Sequence, residues 1–140
     1  MRILLRTTLA LFLFSLAVAP AIAGGKDLEA TPQGKAYRAL LKTVTAADYE
    51  GYKKAMAAES AKSIDAQTKE MNMNPKQVML FLKTMAPSDI KLTDLKITGK
   101  KAVLSATGKS DGEPQYGSID LAEENGQWKV VQQSWSNKKS

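Results

Sequence analysis

Side chains able to do covalent or acid–base chemistry are scarce in this chain, and what is missing narrows the options first. Its 140 residues contain no histidine and no cysteine. The usual carrier of protons near neutral pH is therefore absent, as are thiolate nucleophiles and the ligands of ordinary zinc sites. Among the carboxylates, Asp120 alone stands inside a predicted strand beyond the first. It shares parity with Tyr116 and Ser118, opposite in face to Ile119 and Leu121. Buried, with a raised pKa and a tyrosine donor beside it, Asp120 would be a general base. Carboxylates are seldom buried unpaired, so the preferred reading turns Asp120 to water and assigns no catalytic residue. Met56, Met71, Met73, Met79 and Met85 offer soft thioethers of the kind that bind Cu(I). Such sites also recruit His or Cys, and methionine more often fills gaps in a core. No metal ligand and no cofactor is expected. Glu123 and Glu124 read as solvated charges beside the tight turn at Asn125-Gly126.

The charge pattern excludes another class. The formal net charge is +6, but it is spread along the chain, and Arg38 is the one arginine beyond the first few residues. Readers of nucleic acid favour arginine for bidentate contacts to bases and phosphates. Lys100-Lys101 and Lys138-Lys139 are read as turn and tail charges, and no nucleic-acid partner is expected.

The N-terminus reads as a targeting segment. Arg2 and Arg6 precede an apolar run from Leu9 to Val18, Pro20 breaks it, and Ala21-Ile22-Ala23 gives the small-x-small pattern of a signal-peptidase site. The run falls short of the ~20 residues that span a bilayer, so no stable membrane anchor is expected. Cleavage after Ala23 would remove residues 1–23 and release Gly24–Ser140 to the periplasm or the exterior. The lack of cysteine and of any Asn-x-Ser/Thr sequon leans the same way, towards a bacterial exported protein. Residues 24–30 read as a flexible lead-in, 31–136 as one domain and 137–140 as a polar tail.

The elements fall into two textures. From Thr31 to Met85 apolar residues recur at helical spacing. Thr31-Pro32 is an N-cap with proline at the first helical position, followed by Tyr37, Leu40, Leu41 and Val44 at i, i+3, i+4, i+7. Thr45-Ala-Ala-Asp48 resembles a capping box opening a second helix with Tyr49, Tyr52 and Met56 on one face. Ala61, Ile64, Thr68 and Met71 mark a weaker third helix. Asn74-Pro75-Lys76-Gln77 starts a fourth, whose inner stripe is read as Val78, Phe81, Leu82 and Met85. From Ile90 to Trp135 the pattern alternates, giving strands at about 89–98, 101–107, 115–122 and 127–135. In the first of these, Ile90 and Leu92 share one parity and Leu95 and Ile97 the other. A bulge near Thr93-Asp94 repairs that conflict and bends the sheet. Helices first and an antiparallel meander after them predict an α+β fold, with N-terminal helices on the concave face of a curved four-stranded sheet.

The order of elements, with Leu92-Thr-Asp-Leu-Lys-Ile-Thr-Gly-Lys-Lys-Ala-Val-Leu104, Tyr116-Gly-Ser-Ile-Asp-Leu121 and Gly126-Gln-Trp-Lys-Val-Val131, resembles the nuclear transport factor 2-like superfamily. More narrowly, it is similar to small exported bacterial members of that cone-shaped fold with no assigned function. The resemblance runs from about Thr31 to Trp135. It implies a helix-lined cone closed by the sheet, in some members with a pocket inside, and often a homodimer through the outer sheet face. It also implies that a ligand would lie between the helices and the sheet. Tyr37, Leu41, Phe81, Leu82 and Met85 would form one wall, Trp128 and Val130 the other, with Tyr37 as the polar handle. Val131 and Trp135 take the opposite parity on the last strand and are assigned to an interface on the outer face. The superfamily holds isomerases and hydro-lyases beside members that only bind, so fold alone does not choose. The expectation is an exported, non-catalytic domain that binds an apolar small molecule or a protein partner. The alternatives are an isomerase or hydro-lyase using Asp120, and an immunity or inhibitor protein against a secreted toxin or enzyme.

Overall fold

The computed structural model describes residues 21–24, as backbone, and residues 27–140; the rest of the expected leader lies outside the described residues. Ala21–Gly24 forms a short strand, β1, paired antiparallel with the edge of the strand that follows the helices. The expected cleavage point after Ala23 falls within it. Within the expected lead-in, Leu28–Ala30 forms a single 3-10 turn. Leu28 is buried in the core, and Glu29 pairs with Arg38, whose guanidinium also donates to the Ile90 carbonyl at 2.8 Å.

Four helices follow. In α1 (Pro32–Thr45) the Thr31 hydroxyl accepts from the Gly34 amide at 3.0 Å, satisfying one of the unpaired donors of the first turn. Its buried face carries Tyr37, Leu40 and Val44, with Leu41 half-buried at the margin. α2 (Tyr49–Ala55) is capped by Asp48, whose carboxylate accepts from the Gly51 amide, and it buries Tyr49 and Tyr52. Thr45 is not that helix's cap, because α1 runs on through it. α3 (Ala58–Glu70) buries no residue at all. α4 (Pro75–Met85) opens on a complete capping box. The Asn74 side chain accepts from the Gln77 amide, and the Gln77 side chain accepts from the Asn74 amide, both at 2.9 Å.

The second half is a meander of β2 (Ser88–Thr98), β3 (Lys101–Ser110), β4 (Glu113–Glu124) and β5 (Gln127–Ser136), antiparallel throughout and paired in chain order. Asp111-Gly112 and Asn125-Gly126 turn with both φ angles positive, the geometry that suits a two-residue hairpin. The connection at Asp111 is thus a tight turn where the sequence suggested a longer loop. The bulge expected in β2 is present: Leu92 faces Ala106 and Asp94 faces Ser105, leaving Thr93 as the extra residue. Both Ile90 and Leu92 and the pair Leu95 and Ile97 consequently pack on the core side. A bulge in β5 lies at Val131, because Asp120 pairs with Gln132 while Leu121 pairs with Val130. These bulges, with a further register shift between Ser88 and Lys91 in β2, curve the open sheet, and the helices occupy its concave face.

Tyr37, Leu40, Met79, Leu95, Leu104, Ile119, Leu121 and Val130 are fully enclosed between the two layers. Each aliphatic side chain among them contributes roughly 1.5–3 kcal/mol relative to an exposed one. The outer face is polar. Ser105, Ser118 and Ser134 stand side by side across β3, β4 and β5, and Val103, Asp120 and Gln132 form the next row. Among the described residues, no helix is long and apolar enough to cross a membrane.

Candidate functional site

The layers do not close completely. Between α3 and β5 lies a cleft of about 660 Å³, within the ~300–1,000 Å³ that small-molecule sites occupy. Ser60, Ser63, Ile64 and Gln67 of α3 form one wall, with Glu59 at its end. Leu40 comes from α1, Tyr52 from α2 and Met56 from the position just after it, Leu82 from α4, and Val130 to Gln133 from the last strand. Two smaller cavities adjoin it. One, of about 110 Å³, lies between α3 and α4 and shares Ile64, Gln67 and Leu82 with the main cleft. The other, of about 260 Å³, runs towards Pro87 and Trp135 and shares Tyr52, Leu82 and Gln133. Leu82 borders all three.

Two bulge-and-cap details make this space. The β5 bulge swings the last strand so that Gln133 and Trp135, not their neighbours, turn to the concave side. Trp135 lies opposite Gly117, where a side chain's first carbon would sit 2.8 Å from the indole ring. The roof helix α3 is held at its start by polar groups of the sheet. Ala57 N–H donates to the Val130 carbonyl at 2.8 Å, the Ser60 hydroxyl to the Val131 carbonyl at 2.7 Å, and Ala58 N–H to the Glu124 carboxylate at 2.9 Å. Ala57 has no side chain that could cap the helix, so Glu124, reaching from β4, supplies the cap and a charge that suits the N-terminal dipole. Farther along, Tyr49 donates to Asp65 at 2.8 Å and bonds Thr68, and Lys53 pairs with Asp65 at 3.2 Å. The Tyr49 hydroxyl and then Lys53 hold the Asp65 carboxyl below the ordinary aspartate range.

At the floor sits a polar triad. Gln133 Oε1 accepts from the Tyr37 hydroxyl at 2.8 Å and from Trp135 Nε1 at 3.2 Å. An indole N–H only donates, so this network assigns the facing atom as the amide oxygen. Burial pushes the Tyr37 phenol far above its ordinary range, so it remains a donor at every relevant pH. Gln133 Nε2 has no partner among the described residues, and Gln133 borders two of the three cavities. Tyr52 borders the same two. Its phenol is also pushed up by burial, and its hydroxyl likewise has no partner there. Neither atom is sealed away from solvent.

The residues expected at a ligand site distribute unevenly. Leu82 and Val130 border the main cleft, and Leu41 borders the cavity towards Pro87. Tyr37 borders none of the three; its hydroxyl is used up on Gln133, and the free polar groups are those of Tyr52 and Gln133. Phe81 and Met85 do not form an inner stripe. They are 51% and 67% exposed and stand at the rims of the smaller cavities, because Met79 is the α4 residue that enters the core. Trp128 is half-buried against the core beside Glu123 and borders none of these three cavities. Val131 is the bulge residue and borders the cleft, and Trp135 packs on the concave side rather than on the outer face. Asp120 does face outward, accepting from Gln132 Nε2 at 2.7 Å. The methionines part company: Met79 is enclosed, Met56 half-buried, and Met71 exposed. Sequence reasoning missed Gln133, Tyr52 and Glu124 as site residues. Tyr52 alone had a signal, its place on an apolar helical face.

Compared with known proteins, the chain matches no family model, no curated protein and no solved structure.

Proposed function

We propose that this chain is an exported, non-catalytic binding domain of the nuclear transport factor 2-like kind. Its ligand is a small apolar or amphipathic molecule held between α3 and the concave face of the sheet. The observation that carries this reading is the confluence of three cavities at Leu82, floored by enclosed apolar side chains and by two polar atoms without protein partners. A space of that size leaves apolar surface uncovered, and apolar area removed from water by a ligand yields about 25 cal/mol per Å². Catalysis draws no support from the cleft: its one ionisable carboxylate is Glu59, at the rim and paired with Lys62 at 3.1 Å.

The test uses N-phenyl-1-naphthylamine, which fluoresces when transferred from water to an apolar site. The folded wild-type chain is expected to bind it saturably at one site. Ser63→Trp, on an exposed position of α3 that faces the cleft, is expected to weaken binding at least tenfold while leaving the melting transition in place. Absence of saturable binding by the folded wild type would overturn the reading.

A further inference from the structure

We infer that the cleft selects an uncharged ligand bearing a hydrogen-bond-accepting oxygen, a ketone, ester or amide carbonyl on an apolar body, and that Gln133 Nε2 is the donor that reads it. The inference rests on the proposed binding reading and adds the chemistry of the ligand.

The orientation of the amide is the first ground. Two donors, the Tyr37 hydroxyl and Trp135 Nε1, converge on Oε1. With its oxygen pinned, Gln133 can present only N–H to the space it borders, and the side chain is held before any ligand arrives. A fixed donor loses little freedom on binding, which is what makes a hydrogen bond selective. Tyr52 adds a second hydroxyl that borders the same two cavities and can donate to the same oxygen.

Charge is the second ground. Across the three cavities no lysine or arginine borders the space, and Glu59 is the only charged group that does. A carboxylate or phosphate ligand would leave water for an apolar floor with no cation to meet it, at a cost of several kcal/mol. A cation would find only Glu59, already paired with Lys62, and two donors pointing the wrong way. An acceptor oxygen without formal charge is the group that fits.

Two probes of similar bulk separate this inference from the reading beneath it. N-phenyl-1-naphthylamine carries no oxygen, whereas 6-propionyl-2-dimethylaminonaphthalene carries a ketone whose emission moves to longer wavelength when the carbonyl accepts a hydrogen bond. In the wild type at pH 8, the ketone probe is expected to bind with the emission of a hydrogen-bonded carbonyl. Decan-2-one is expected to displace N-phenyl-1-naphthylamine at least tenfold more effectively than decanoate. Gln133→Glu keeps an oxygen for Tyr37 and Trp135 and replaces the donor by an anionic acceptor. It is expected to weaken the ketone probe at least tenfold and abolish the emission shift. Should Gln133→Glu fail to fold, the emission shift and the displacement series in the wild type decide alone. Equal displacement by decanoate, or a ketone probe bound without the shift, overturns the inference while leaving the binding reading intact. If neither probe binds the wild type, both fall.

Discussion

Gly117 shows how one missing side chain shapes the floor of the cleft. The Trp135 indole lies flat over it, so that a methyl group there would stand 2.8 Å from three ring carbons. The ring cannot simply retreat, because its Nε1 is committed to Gln133. Gly117→Ala is therefore expected to cost about 1–3 kcal/mol, the range for overpacking a filled site. Chemical denaturation with tryptophan emission as the signal measures it, and an unchanged midpoint and spectrum would refute the packing described. A glycine inside a strand is a legible sign that something approaches closely, but the sequence does not say what. The Tyr37–Gln133 bond joins residues 96 positions apart, and no local periodicity reports a contact of that span. Polar floor residues are hard to foresee for this reason: an inward glutamine looks, by type, like a solvated one.

At the scale of elements, the same signal was read in two ways. In β2, apolar residues switch parity between Leu92 and Leu95, and a bulge was the natural repair. In β5, Trp128 and Val130 share one parity and Val131 and Trp135 the other, which by simple alternation puts apolar residues on both faces. The physical answer was again a bulge, at Val131. The difference lies in Gln133, whose polarity hides the inward run that Leu95 and Ile97 make plain in β2. The α4 stripe failed for a different reason. Val78, Met79, Leu80, Phe81 and Leu82 are consecutive apolar residues, so periodicity fixes no phase, and the packing chose Met79. Caps were more legible because they are local, and the Asn74–Gln77 box is as written in the chain. Glu124 as the cap of α3 was not legible, since the carboxylate comes from the far end of β4. The clasp on α3 also has a pH dependence. Asp65 is held below the ordinary aspartate value by Tyr49 and Lys53, so its contribution is complete above that value and is lost as pH falls through the lower, folded one. Circular dichroism titrated with acid is expected to show helix loss from α3 only below about pH 4, and Asp65→Asn should remove that phase. A transition centred near neutral pH would contradict it.

For the molecule as a whole, helices before a meander were enough to foresee two layers with a curved sheet. The space between the layers was less foreseeable, because it depends on how far the last strand bends. That geometry leaves α3 as a roof with no buried side chain, held by a carboxylate at one end and a tyrosine–aspartate–lysine clasp along its length. The domain is therefore expected to behave as two thermodynamic units. Amide hydrogens of β3 and β4 should exchange with solvent only through global unfolding, whereas those of α3 exchange through a local opening that costs far less. Exchange followed by mass spectrometry is expected to place α3 at least a hundredfold below the central strands in protection, and uniform protection would refute the division. A molecule held in the cleft as proposed would touch Ser60, Ser63, Ile64 and Gln67, so its binding would be coupled to the docking of this helix. Saturating the site should then slow exchange in α3 in proportion to ligand concentration over its dissociation constant. A guest that binds only while the helix is docked would thus lengthen the life of the docked state.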